Sequence, residues 1–264
     1  MIYVPGQAQS EMIDRLIELD RVALWAQMGL GKTSSVYTGM LYREPLAPTF
    51  PTLVVAPKRV ARVTWPNEQK KWDHLHAIRV IPIIGSNAER IAAMKRPAEV
   101  YTINYDNLPW LRETLGNRWP FALVVSDEST RLKGFRLKQG GIRTRALAQV
   151  AHNLTSGLWE ATGTPSPNGL KDLWGQLWYL DRGWRLGTSF KAFSDRWFYT
   201  NVETGNLVPK PGAQQNIEAA VSDIAFSFRS CDYMDVDEPM VFDREIELPP
   251  KARRHYQEIE SKLW

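Results

Sequence analysis

A glycine-bearing stretch, Ala26-Gln27-Met28-Gly29-Leu30-Gly31-Lys32-Thr33, and two adjacent acids, Asp127-Glu128, carry the residue types from which phosphate chemistry is built. Glycines let successive backbone N–H groups turn inward around phosphate oxygens. A following lysine reaches the β- and γ-phosphates, and a threonine hydroxyl next to it can ligate Mg²⁺. The position usually held by the first glycine of such a loop is Ala26 in this chain. The two acids end the apolar run Phe121-Ala122-Leu123-Val124-Val125-Ser126 abruptly, which places both carboxylates at the carboxyl edge of a sheet. Ligands bind at that edge in open α/β folds. Asp127 is expected there to hold the shell of a Mg²⁺ ion, and Glu128 to orient and deprotonate an attacking water. Two acids alone often only cap a loop; the upstream loop turns them into a candidate site.

A sheet is needed to bring these residues together. Short apolar runs at 22–26, 52–56, 79–83, 99–103, 122–126 and 157–161 read as strands. Between them, stretches at 11–19, 33–42, 60–72, 88–94, 107–115 and 143–152 carry apolar residues at spacings of three and four, as crossover helices do. This alternation predicts an α/β fold with a parallel sheet over residues 1–180. From 181 to 240 the pattern weakens into an irregular, partly helical extension, with a turn at Glu203-Thr204-Gly205-Asn206. Within 241–264 a strand over 240–248 is expected to lead through Pro249-Pro250 into a helix with Tyr256, Ile259 and Leu263 on one face.

Bulk properties bound the function classes. A chain of 264 residues with 44% hydrophobic and 11% aromatic content is long enough for one large core and is not a disordered polypeptide. No apolar run approaches the length of a membrane span, and the first residues lack the pattern of a signal peptide, so a cytoplasmic setting is expected. One cysteine, Cys231, permits no intrachain disulfide and no cysteine cluster for zinc. The net charge of +4 is too small to argue for a nucleic-acid partner. Its distribution says more: residues 131–145 hold six cations and no carboxylate, and Lys58, Arg59 and Arg62 form a second cluster. Either cluster suits phosphate contacts and equally suits a solvated surface.

Taken together, the loop with alanine first, the Asp127-Glu128 pair and Ala161-Thr162-Gly163-Thr164-Pro165 after a further strand resemble superfamily 2 helicase-like ATPases. The wording is similar to the Swi/Snf-type branch of DNA translocases, especially its compact bacterial and phage members. Val55-Ala56-Pro57-Lys58 with Trp65, Glu68 and Trp72 resembles motif Ia of that branch. Ile84-Gly85 with Arg90, Ile103-Asn104-Tyr105-Asp106, Ser129 with Lys133, and Asn168 after Pro165 resemble its later motifs. The likeness spans residues 7–180 and resumes loosely from Arg229.

The resemblance implies a RecA-like P-loop NTPase, a three-layer sandwich with a mainly parallel central sheet and helices on both faces. It implies ATP and Mg²⁺ as ligands, with Met28, Gly29, Leu30, Gly31, Lys32, Thr33 and Ser34 binding nucleotide and Thr33 and Asp127 on the metal. Lys32, Asp127 and Glu128 would serve hydrolysis. Thr162, Gly163 and Thr164 would couple phosphate state to a nucleic-acid groove contacted by Lys58, Arg59, Tyr105 and Lys133. Gln9 or Gln7 matches the glutamine that reads adenine, with spacing favouring Gln9. Duplex DNA is the favoured partner, with RNA left open.

Relatives of this type hydrolyse ATP between two RecA-like lobes, the second of which supplies arginine fingers. No further run of alternating elements follows residue 180, and no Gln-x-x-Gly-Arg-x-x-Arg pattern occurs. The chain is therefore expected to be one lobe that works with a second, in cis or in trans, and to bind nucleotide with weak turnover alone. The competing reading is a catalytically inactive module that binds nucleic acid or protein. Trp65 and Trp72, seven apart on an expected helix, have core spacing; His74 and His76 lack a third ligand at metal spacing.

Overall fold

The structure is a computed structural model that describes residues 1–233 and 247–263. In chain order the elements are α1 (Gln7–Glu18), β1 (Arg21–Ala26), α2 (Lys32–Arg43), β2 (Thr52–Ala56), α3 (Trp65–Lys71), β3 (Val80–Pro82), α4 (Asn87–Met94), β4 (Val100–Asn104), α5 (Leu108–Leu115) and β5 (Leu123–Asp127). They continue with α6 (Ile142–Ala151), β6 (Gly157–Thr162), α7 (Leu173–Asp181), α8 (Phe190–Trp197), β7 (Phe198–Thr200), β8 (Leu207–Pro209), α9 (Ala213–Val221), β9 (Ala225–Phe228), α10 (Ser230–Tyr233) and α11 (Pro250–Leu263). Residues 1–233 form one compact unit.

Seven strands pair in the order β3-β4-β2-β5-β6-β1-β9, all parallel, giving the expected α/β architecture. Every residue of β2, β5 and β6 is buried, which is why these strands read as mainly apolar runs rather than as alternating ones. Successive side chains feed opposite faces. Val54, Leu123, Val125 and Trp159 pack with Leu16 of α1, Tyr37 of α2 and Trp65 of α3. Val55, Val124 and Leu158 pack with Leu111 of α5, Leu147 of α6 and Leu177 of α7. The result is three layers with a core on each side of the sheet.

The strand order explains how distant motifs meet. β6 lies between β1 and β5, so the loop after β6 sits between the loop that follows β1 and the acids that end β5. β2 flanks β5 on its other side, which sets residues 57–59 beside the same acids. Because all strands run the same way, these loops leave the sheet at a single edge.

Three features differ from the reading of the sequence. β9 adds a seventh strand, pairing with residues 23–26 of β1. The helix expected over 60–72 is in two parts, a π-wound turn over Val60–Thr64 and then α3. The segment after 181 contains α8 and a small antiparallel pair, β7 with β8, which closes around the expected turn at 203–206. The strand expected over 240–248 falls mainly outside the described residues. Residues 250–263 form α11 by themselves, with Tyr256 and Ile259 exposed. No helix among the described residues is long and apolar enough to cross a membrane.

Candidate functional site

The loop between β1 and α2 turns on two glycines in the left-handed region, Gly29 at φ 88° and Gly31 at φ 77°. Side-chain-bearing residues are strained there, and Gly31 is doubly constrained, since a Cβ would come within 2.1 Å of Gln9 Nε2. Gly31 caps α2, so the free N–H groups of that helix's first turn open towards the loop. Lys32 reaches back over the loop, its ammonium 2.5 Å from the Ala26 carbonyl oxygen and 3.1 Å from that of Gln27. Burial lowers its pKa, and the charges of Glu128 and Asp127 act in the opposite sense, which places the cation in the field of both acids. Thr33 is half-buried beside it, and its hydroxyl makes no hydrogen bond within the described residues. Met28 is 84% exposed, whereas Leu30 belongs to the core and Ser34 is buried, so Leu30 can serve a ligand only through its backbone.

Of the two candidate glutamines, Gln9 lies at the loop. Its carbonyl accepts from the Gly6 N–H at 2.9 Å and its amide donates to Ser34 Oγ at 3.2 Å. Gln7 bonds to Glu11 on the exposed face of α1.

Asp127 and Glu128 occupy different environments although adjacent. Asp127 is 8% exposed, its Oδ2 accepting from the Trp65 indole at 2.8 Å and its Oδ1 from the Glu128 N–H at 3.1 Å. Burial raises the Asp127 pKa, and the Trp65 hydrogen bond opposes that rise. Glu128 leaves the strand in the left-handed conformation at φ 57°, which swings its side chain away from that of Asp127. Its Oε2 accepts from the Thr162 hydroxyl at 3.2 Å, and Thr162 Oγ1 in turn accepts from the Thr164 N–H at 3.3 Å. The three expected groups, loop, acids and Thr162-Gly163-Thr164, are thus brought to one place. A thiol or imidazole cluster is not part of it: the donors are hydroxyl and carboxylate oxygens, the set that a hard dication such as Mg²⁺ prefers.

The four expected nucleic-acid contacts separate into two kinds. Lys58 and Arg59 follow β2 at the same edge and are exposed, with no ion pair among the described residues. Tyr105 does not fit that role: it is 4% exposed, its hydroxyl donates to the Asp127 carbonyl at 2.8 Å and pairs with Ser126 Oγ at 2.9 Å. Its buried hydroxyl braces the end of β5 that carries the acids. Lys133 is likewise engaged, by Asp172 at 3.5 Å. The rest of the basic run is partly consumed as well. Arg143 pairs with Asp106 at 2.9 Å, and Arg136 stacks on Phe190 with its guanidinium 3.6 Å from the ring centre. Lys138 and Arg145 remain exposed, on the wall of a cavity of about 880 Å³ between the 135–139 turn, α6 and α8.

Two side chains make contacts at the site that the sequence does not announce. Trp65 has the core spacing expected of it, with 1% exposure, yet it also holds Asp127. Gln176 of α7, 1% exposed, accepts from Ser129 Oγ at 3.1 Å and donates to the Pro165 carbonyl at 2.6 Å, joining the turn after Glu128 to the turn after Thr164. Asp127 lies 62 residues from Trp65 and Ser129 lies 47 from Gln176, so no local signal announces these hydrogen bonds.

The chain is 47% identical over 269 aligned residues to protein p41 of Acyrthosiphon pisum secondary endosymbiont phage 1, covering 99% of this chain and 58% of that protein. It is 28% identical over 193 residues to helicase swr1 of Aspergillus fumigatus, covering 67% of this chain and 10% of that one. In structure it is similar to the Sulfolobus solfataricus SWI2/SNF2 ATPase core in complex with dsDNA, with a TM-score of 0.66 at 20% identity over 86% of this chain and 45% of that one. A second structure of the Sulfolobus solfataricus SWI2/SNF2 ATPase core domain gives 0.65 at 22% identity. The chain thus spans about half the length of p41 and of the archaeal core. The sequence model of the SNF2-related domain matches residues 12–222, and the chain belongs to that family.

Proposed function

We propose that this chain is the ATP-binding lobe of a nucleic-acid-dependent ATPase that works on duplex DNA as a translocase or helicase, and that it turns ATP over weakly without a second RecA-like lobe. The observation that carries this reading is the convergence, at one sheet edge, of the Gly29–Thr33 turn, Asp127, and a Glu128 already hydrogen-bonded to Thr162.

Each residue has a task that follows from where it sits. Backbone N–H groups of residues 29–33 and the start of α2 receive the phosphates, and Lys32 exchanges its two carbonyl contacts for phosphate oxygens. Gln9, beside Gly31, is the glutamine positioned to meet the base. Thr33 and Asp127 hold Mg²⁺, which when bound offsets negative charge on the phosphate oxygens. Glu128 orients a water and accepts its proton as the water oxygen bonds to the γ-phosphorus and ADP departs. Thr162 fixes the Glu128 carboxylate, and its bond from the Thr164 N–H ties that carboxylate to the turn after β6. An arginine finger from a partner lobe is worth roughly 10³ to 10⁵ in rate, so without such a lobe binding would stay intact and hydrolysis would be slow.

Titration of the chain with a fluorescent ATP analogue and Mg²⁺, beside Lys32→Ala, tests the reading. Hydrogen bonds to charged groups are worth about 1.5–3 kcal/mol, so the variant should bind about 10- to 100-fold more weakly. Equal affinities, or no binding by either protein, would favour a catalytically inactive binding module instead. Gel shifts with duplex DNA, single-stranded DNA and RNA identify the polymer.

A further inference from the structure

The segment after β2 passes from surface to core within a few residues. Lys58 and Arg59 are exposed; the π-wound turn Val60–Thr64 follows, and its Ala61 carbonyl accepts from Thr102 Oγ1 of β4 at 2.6 Å. Trp65 then opens α3 with its ring in the core. Single turns of π-helix inside helices are uncommon and concentrate at functional sites, because the wider turn re-aims the side chain that comes next. Here the re-aimed side chain is an indole whose Nε1–H donates to Asp127 Oδ2, 62 residues further along the chain.

Trp65 is itself held on its other side. Its backbone carbonyl accepts from the hydroxyl of Tyr37, a fully buried residue of α2, at 3.0 Å, and the two rings lie 4.9 Å apart. α2 is the helix that begins with Lys32 and Thr33. One tryptophan therefore ties the helix bearing the expected metal hydroxyl to the strand end bearing the expected metal carboxylate.

We propose that Trp65 is a positioning residue for the metal site, its indole N–H fixing the Asp127 carboxylate in the orientation that faces a dication shared with Thr33. This rests on the nucleotide-binding reading above. The torsion of an aspartate carboxylate is soft, and rotation about it would turn either oxygen towards the metal. A charge-assisted hydrogen bond in a buried setting removes that freedom. The Glu128 N–H on Oδ1 supplies the second restraint, so the carboxylate plane is set from two sides. A core role alone would be met by any ring of similar size; it gives no reason for the N–H to meet this carboxylate. Groups that orient metal ligands in this way typically contribute 10- to 100-fold to metal affinity.

The test separates the N–H from the ring. Trp65→Phe keeps an aromatic side chain and loses the donor. Replacement by 3-benzothienylalanine keeps the shape of tryptophan with sulfur in place of N–H, so it reads the same quantity without a cavity. For each protein, binding of a fluorescent ATP analogue is measured against Mg²⁺ concentration and again in EDTA. The expected result is a Mg²⁺ concentration for half-saturation raised about tenfold or more, with affinity in EDTA unchanged. An unchanged Mg²⁺ midpoint in the benzothienyl protein overturns the proposal, as does an equal loss of affinity with and without Mg²⁺, which would mark a packing role only. Wild-type chain that binds no nucleotide under either condition would instead overturn the underlying reading, and this proposal with it.

Discussion

Thr162 at the end of β6 donates its hydroxyl hydrogen to Glu128 Oε2 at the start of the turn after β5, across 3.2 Å. The two strands are neighbours in register, Asp127 opposite Ala161, so their next residues emerge side by side. On the other flank of β6, Trp25 of β1 stands opposite Thr162, which carries the 26–33 loop to the same point. Thr162 is thus placed where that loop and Glu128 meet. The left-handed turn at Glu128 makes the contact possible, since an extended residue there would continue the line of the strand.

Replacing Thr162 by valine keeps the shape and removes the donor. Nucleotide affinity should change by no more than about twofold, because Glu128 is not asked to hold the phosphates. Single-turnover hydrolysis should fall by about 10- to 100-fold, the worth of a hydrogen bond to a charged group, and Thr162→Ser should restore most of it. If serine and valine behave alike, the hydroxyl has no part in placing Glu128.

The stability of the chain should be limited on both sides of neutrality by one buried and one half-buried group outside the site. Glu160, in the centre of β6, is fully buried with neither carboxyl oxygen hydrogen-bonded among the described residues, and burial pushes its pKa well above the usual carboxylate range. The folded chain therefore keeps a proton that the unfolded chain releases. Stability is full below the unfolded pKa of about 4.3 and is lost as pH rises towards the folded value, by about 1.4 kcal/mol for each unit in between. His152 acts in the opposite direction. Burial first, then the charges of Arg21 and Arg182, lower its pKa to about 4, so stability is full above the unfolded value of about 6.5 and is lost as pH falls towards about 4. Thermal melts from pH 4 to 9 should show a flatter alkaline limb for Glu160→Gln and a flatter acid limb for His152→Leu. Parallel curves for wild type and Glu160→Gln would mean that Glu160 does not titrate across the unfolding transition.

What could be read from the sequence, and what could not, divides by the range of the interactions. Central strands such as Thr52–Ala56 and Leu123–Asp127 are legible because burial on both faces demands mainly apolar runs. The Gly29–Thr33 turn is legible because left-handed backbone at two positions demands glycine. β9 is not, since four residues at a sheet edge pair with only one neighbour and carry little pattern. Tyr105 misleads for a related reason: a tyrosine after a strand looks the same whether its hydroxyl meets solvent or, as here, Ser126 and Asp127. Trp65 is half legible, its ring through helical spacing and its N–H not at all. Glu160 sits inside a run correctly taken as a buried strand, and nothing adjacent announces that its carboxyl has no partner.

The surface cations offer the sharpest separation between groups that look alike in sequence. Among the described residues Lys58 and Arg59 are exposed and without ion pairs, whereas Lys133 is paired with Asp172 and Arg143 with Asp106. A cation that neutralises a DNA phosphate releases condensed counterions, giving a slope of about −0.9 per contact in log affinity against log salt. Removing Lys58 and Arg59 together by alanine substitution should therefore flatten the slope for duplex DNA by about 1.8, with Mg²⁺-nucleotide affinity unchanged. Lys133→Ala and Arg143→Ala should flatten it by much less, since each cation must first leave an acidic partner to reach a phosphate. Fluorescence anisotropy between about 50 and 200 mM salt reads all of these slopes, the range over which phosphate contacts weaken most visibly. Equal slopes for the four cations would mean that the intramolecular pairs open at no cost, and that the exposed pair after β2 has no special claim on the DNA backbone.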